Sequence, residues 1–178
     1  MALRIGFVGV GGMAETHLKN MKDNERAVIA AVCDVVEERA NGAADRYGAT
    51  AYTDYKRMLE RETLDALFVC VPPFAHGDIE ETAAARGIHL FVEKPVGLDL
   101  AQARAKAEAI KRAGLVTSSG YALRYMDNLE RAKAFLDGKK IGFVRAYYLS
   151  GFVETPWWRV RAKSGGQLGE QATHIVDL

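Results

Sequence analysis

The sequence predicts an α/β protein: a doubly wound parallel sheet of the Rossmann type, followed by the start of a second unit. Three observations predict it. Apolar runs alternate with segments of helical period along residues 1–121. A Gly9-x-Gly11-x-x-Ala14 turn joins the first apolar run to the first helical segment. Asp34 closes the next apolar run, 20 residues after Ala14. Together they form the dinucleotide fingerprint in its structural setting. Gly9 allows the tight turn, Gly11 lets a pyrophosphate approach the backbone, and Ala14 lets the helix pack closely on the strand. Gly12, Met13 and Ala14 open the helix, where free N–H groups and the helix dipole favour phosphate.

Each element follows from local pattern. Leu3–Val8 is the first strand, and Ala27–Cys33 is a continuous apolar run of the kind buried on both faces. Ala40, Ala43, Ala44 and Tyr47 recur at helical spacing. Thr50–Tyr52 is a short strand, and Asp54 caps a helix over Tyr55–Glu60. Leu64–Val71 is a buried strand stopped by Pro72-Pro73. A helix is expected over His76–Arg86, ended by Gly87, and Ile88–Val92 is the fifth strand. Asp99 caps a long helix with the stripe Leu100, Ala103, Ala107 and Ile110. Leu115–Gly120 is the sixth strand. Beyond about residue 121 the character changes. Met126–Leu136 is an amphipathic helix, Phe143–Leu149 reads as a strand, and a loop rich in Trp, Arg and Gly leads to a helix over His174–Leu178.

Composition narrows the partners. With 178 residues and 49% hydrophobic side chains, the chain can build one good core and part of another. Its formal charge of +1 gives no electrostatic footprint for nucleic acid or an anionic membrane. No apolar run approaches a membrane span. The N-terminus runs directly into a core strand, which does not read as a signal peptide. Cys33 and Cys70 sit in apolar strand runs and read as small buried hydrophobes. A cytoplasmic location fits these features.

Several residues carry candidate chemistry. A carboxylate at Asp34 accepts hydrogen bonds from ribose hydroxyls and repels a 2′-phosphate; Val35 and Val36 follow, so NAD is expected over NADP. Glu93-Lys94-Pro95 ends the fifth strand at the carboxyl edge, where open α/β sheets bind ligands. Pro95 restricts Lys94 to extended geometry, which aims its amine into the crevice. His174 lies four residues after Glu170, so the two share a face of a continuous helix, with Asp177 nearby. An imidazole beside a carboxylate suits a general base near neutral pH. Without clustered third and fourth ligands, this pair is not read as a metal site. His76 either approaches the cofactor or caps a helix. His17 and His89 look structural. Arg124-Tyr125 and Trp157-Trp158 are candidates to line a polyol pocket or to anchor packing.

Together these residues resemble the Gfo/Idh/MocA oxidoreductases, the glucose–fructose oxidoreductase and inositol dehydrogenase family. The matching pieces are Gly9-x-Gly11-x-x-Ala14, Asp34, Pro72 with His76, Glu93-Lys94-Pro95, Arg124-Tyr125 and the run Ser164–Asp177. The resemblance implies a catalytic group of Lys94, Glu170 and His174, with Pro72, His76, Glu93 and Lys94 among the cofactor contacts. It implies substrate contacts from Arg124, Tyr125, Trp158 and Asp177. Where the family pattern most often has Asp and Gly, this chain has Glu170 and Ala172. The resemblance also implies an NAD-binding domain at 1–121, with 122–178 beginning a domain whose open antiparallel sheet mediates homo-oligomers. On that comparison the chain reads as incomplete. The implied activity is NAD-dependent oxidation of a sugar, inositol or related polyol hydroxyl. Two other readings stay open: an NAD-dependent glycosidase on the same scaffold, and a non-catalytic dinucleotide-binding regulator.

Overall fold

A computed structural model describes residues 1–178. Six parallel strands form one sheet in the order β3-β2-β1-β4-β5-β6. They are β1 (Leu3–Val8), β2 (Ala27–Cys33), β3 (Thr50–Tyr52), β4 (Ala66–Val69), β5 (His89–Val92) and β6 (Thr117–Ser119). The crossovers carry α1 (Gly12–Lys22), α2 (Glu37–Tyr47), α3 (Tyr55–Arg61), α4 (Ile79–Ala84) and α5 (Leu100–Arg112). The strand order reverses between β1 and β4, and the crevice at that switch point is where this topology takes a ligand.

Strand alternation sorts the core into two layers. Ile5 and Phe7 of β1 face α1 and α2, where Ala14, Leu18, Ala43 and Ala44 are buried. Val8 faces the opposite layer, with Met58, Leu59, Ile79 and Ala83 from α3 and α4. Gly6 belongs to that second face, where a methyl group would overlap Leu64. Leu18 is fully buried, a placement that stabilises by about 1.5–3 kcal/mol.

The expected caps are present: Asp54 accepts from Lys56 N at 2.8 Å and Asp99 from Gln102 N at 2.8 Å. Three elements differ from expectation. The helix expected from His76 begins at Ile79, because Pro73–Ala75 forms a 3₁₀ turn and Gly77 takes φ +50°. On α5, Leu100 is exposed and Lys106 takes an inward place, where it finds a buried anion. Phe143–Leu149 forms no strand. Its residues have the β-forming composition, but its backbone groups pair with no other segment of the chain, as a strand requires.

After β6 come α6 (Asp127–Leu136), α7 (Arg161–Ser164), α8 (Gly166–Glu170) and α9 (Thr173–Val176). The last three place residues against the carboxyl edge of the sheet. No helix is long and apolar enough to cross a membrane.

Candidate functional site

A cleft of about 430 Å³ opens at the carboxyl edge of β1, β2, β4 and β5. Gly9 sits at φ +82°, and a side chain there would strike the backbone of Cys70. Gly11 and Gly12 face open space. Gly11 is the N-cap of α1 and provides no side-chain cap, so the first-turn N–H groups are free for an anion. The turn thus fits a pyrophosphate: the backbone is bare, its donors are unspent and nothing blocks the approach. Met13 completes this wall; Ala14 is buried beneath it.

Asp34 stands at one end of the cleft, at the tip of β2. Its carboxylate accepts from Val10 N at 3.1 Å and Val36 N at 3.0 Å, which locks it to the glycine turn. It does not cap α2, whose N-cap is Val36. Arg39 lies 3.7 Å from Asp34 Oδ1 and lines the same wall. The residues directly after Asp34 are apolar, but α2 folds Arg39 back beside it, a contact that sequence adjacency does not reveal.

Pro72, Glu93 and Lys94 form the other end. Lys94 Nζ donates to Glu170 Oε1 at 2.9 Å and to the Glu170 carbonyl at 3.0 Å. It also lies 5.5 Å from the Trp158 ring centroid. Glu170 and Trp158 therefore reach the cleft from the far end of the chain, together with Thr155 and Trp157. Burial pushes the Glu170 carboxyl above its ordinary range, against the opposing pull of Lys94. Its Oε2 is buried without a partner.

Glu170 and His174 do not share a continuous helix face. Glu170 ends α8, Gln171 and Ala172 both turn back to the Gln167 carbonyl, and His174 begins its contacts in α9. Glu170 therefore serves Lys94. The His174 ring stacks on Tyr148 with centroids 6.0 Å apart and meets Tyr121 edge-on at 6.2 Å. Burial, then the charge of Lys94, lowers the His174 pKa below its ordinary value. Its Nδ1 is buried without a partner.

Other expected site residues are placed elsewhere. His76 lies off the cleft wall. It is buried, with Nδ1 against Glu80 Oε1, while Lys106 Nζ holds Glu80 Oε2 at 2.8 Å. Arg124 and Asp177 pair with each other through both carboxylate oxygens, which spends their charges mutually. Tyr125 is exposed beside them, away from the cleft. Burial, with Asp34 and Asp54 nearby, pushes the Cys33 thiol up to about 12, so it is inert.

A sheet with its strand-order switch at a bare glycine turn, faced by an acid at the end of β2, defines a dinucleotide-binding protein. The chain belongs to the Gfo/Idh/MocA family, described as an oxidoreductase family with an NAD-binding Rossmann fold, whose pattern matches residues 3–121. It is 30% identical over 141 residues to the myo-inositol 2-dehydrogenase of Thermotoga maritima, covering 79% of this chain and 42% of that enzyme. The crystal structure of scyllo-inositol dehydrogenase from Lactobacillus casei with bound NAD(H) and scyllo-inositol superposes with TM-score 0.72 at 29% identity, over 80% of this chain and 43% of the other. GenD2 from gentamicin A biosynthesis, in complex with NAD, superposes with TM-score 0.87 at 29% identity, over 99% of this chain and 52% of the other. The chain spans about half the length of the curated relatives it matches.

Proposed function

We propose that this chain is the NAD-binding and catalytic-lysine portion of an oxidoreductase that acts on a secondary hydroxyl of an inositol, sugar or related polyol. One observation carries the reading: Lys94, held by Glu170, stands on the wall of the same cleft as the bare glycine turn and Asp34. Gly9, Gly11, Gly12, Met13 and Ala14 would hold the pyrophosphate, Asp34 the adenosine ribose, and Pro72 and Glu93 the far half of the dinucleotide. NAD supplies the hydride acceptor when bound. Lys94 Nζ donates a hydrogen bond to the substrate oxygen and stabilises the negative charge that develops there. His174, off the cleft wall itself but near enough to Lys94 for that charge to help lower its pKa, takes the hydroxyl proton on its imidazole. Glu170 aims the lysine, and Trp158 presents an aromatic face to the polyol. The inositol dehydrogenases among the relatives support the substrate class.

In this reading residues 1–121 are the dinucleotide domain and 122–178 open the substrate domain. The exposed apolar side chains of Phe143, Val144, Tyr147 and Leu149 support homo-oligomer formation through that second unit; the location is cytoplasmic. A screen of inositols and sugars, followed by NADH absorbance in a chain carrying the complete second domain, tests the activity. NADH formation with a cyclic polyol is the expected result. Light scattering after size exclusion tests the association.

A further inference from the structure

His17 does not line the cleft, yet it touches Glu93 of its wall from beneath. It lies on α1 three residues after Ala14, on the face turned to the sheet. Phe7, Phe68 and Phe91 are register partners across β1, β4 and β5, and they stack in a row with centroid spacings of 4.8 and 4.7 Å. The His17 ring closes over that row, 5.5 Å from Phe68 and 4.9 Å from Phe91. Glu93 follows Phe91 by two residues, so the pleat puts it on the same face. His17 Nε2 and Glu93 Oε1 are 2.7 Å apart. The second Glu93 oxygen accepts from Lys94 N at 3.1 Å. On the far side Gly120 leaves room for the carboxylate, since a methyl group there would overlap it.

We infer that His17 is a positioning residue: it fixes the Glu93 carboxylate, and through it the Lys94 backbone, at the nicotinamide end of the cleft. The inference rests on the dinucleotide reading above. The two halves of a dinucleotide straddle the β1 turn, adenosine toward β2 and Asp34, the other half toward β4 and β5. His17 therefore acts on one half alone. The aromatic row holds the ring in place, and the Nε2–H donates to the carboxylate.

Two ligands separate this role from mere packing. NADH spans both halves; ADP-ribose lacks the nicotinamide. His17→Phe keeps the ring stack and removes the donor. It should weaken NADH binding by about tenfold, the scale of a hydrogen bond to a charged group, and leave ADP-ribose within about twofold. His17→Gln, which retains a donor, should recover most of the NADH affinity. Gly120→Ala, which crowds Glu93 from the opposite side, should give the same selective loss and decides the matter if His17→Phe does not fold. Equal affinities for NADH in wild type and His17→Phe would overturn the inference, as would an equal loss for both ligands. If wild type binds NADH no more tightly than ADP-ribose, the inference falls and the dinucleotide reading stands. If wild type binds neither, both fall.

Discussion

At the scale of single residues, the ends of the cleft are set by competition for two carboxylates. Asp34 faces backbone donors and Arg39, while Glu170 faces Lys94. Asp34→Ala removes a ribose acceptor and releases Arg39 from its only anionic partner. Guanidinium recognises phosphate well, so this variant should lose NADH affinity and gain NADPH affinity, narrowing the preference from both sides. Fluorescence titration with both nucleotides checks it; an unchanged ratio would remove Asp34 from the selector role. At the other end, Lys94→Ala and His174→Ala in the complete enzyme should cut turnover by about 10²–10⁴-fold, with NADH affinity nearly kept. The pH dependence follows from His174. Its folded pKa lies below the ordinary 6.5, burial being the main cause. In its proposed role the imidazole can therefore accept a proton below 6.5, and the acid limb of kcat/KM should fall on that side. The same shift makes stability rise with pH in that window, because there the unfolded chain binds the proton and the folded chain does not. His174→Gln should flatten both dependences.

At the scale of elements, the sheet was legible because its strands are apolar runs bounded by Gly, Pro and Asp, and these signals are local. Asp54 and Asp99 cap helices where the pattern places them. What the pattern missed depends on contacts between distant segments. Glu170 and His174 carry helical spacing, but Gln171 and Ala172 interrupt the helix between them, and spacing cannot show that break. The Phe143–Leu149 run has strand composition without a strand to pair with. Lys106 lies outside the apolar stripe expected of α5, yet it is buried against Glu80, which also meets His76. Burial pushes the Glu80 carboxyl up, but His76 and Lys106 together hold it below its ordinary value. This group ties α4 to α5 and backs the turn that carries Pro72 and Pro73. Lys106→Met should destabilise the fold by about 3–5 kcal/mol, because it leaves a buried carboxylate short of its cation. Glu80→Gln combined with Lys106→Met should cost less than Lys106→Met alone. Urea unfolding of wild type, the two single variants and the double variant measures the coupling, and strict additivity would show that the charges do not act as a pair.

At the scale of the whole molecule, stability and the contacts to Lys94 come from different parts of the chain. All six strands end by Ser119, and both hydrophobic clusters draw their buried members from residues up to Val92. Beyond residue 121 only Ser164, Glu170 and Gln171 are buried, and α6 buries nothing. Yet that region supplies the partner of Lys94 and the aromatic face of Trp158. A chain ending at residue 121 should therefore fold cooperatively on its own. Its melting temperature should lie within about 5 °C of the 178-residue chain, a shift on the scale of roughly 1–2 kcal/mol for a protein this size. ADP-ribose, held by the glycine turn and Asp34, should bind both chains alike. NADH should bind the short chain more weakly, since the cleft wall made by Thr155, Trp157 and Trp158 is gone. Calorimetry with both ligands measures all three quantities. A short chain that fails to fold would move the structural boundary beyond residue 121. Unchanged NADH affinity would mean that residues 155–170 touch the substrate alone and leave the nicotinamide untouched.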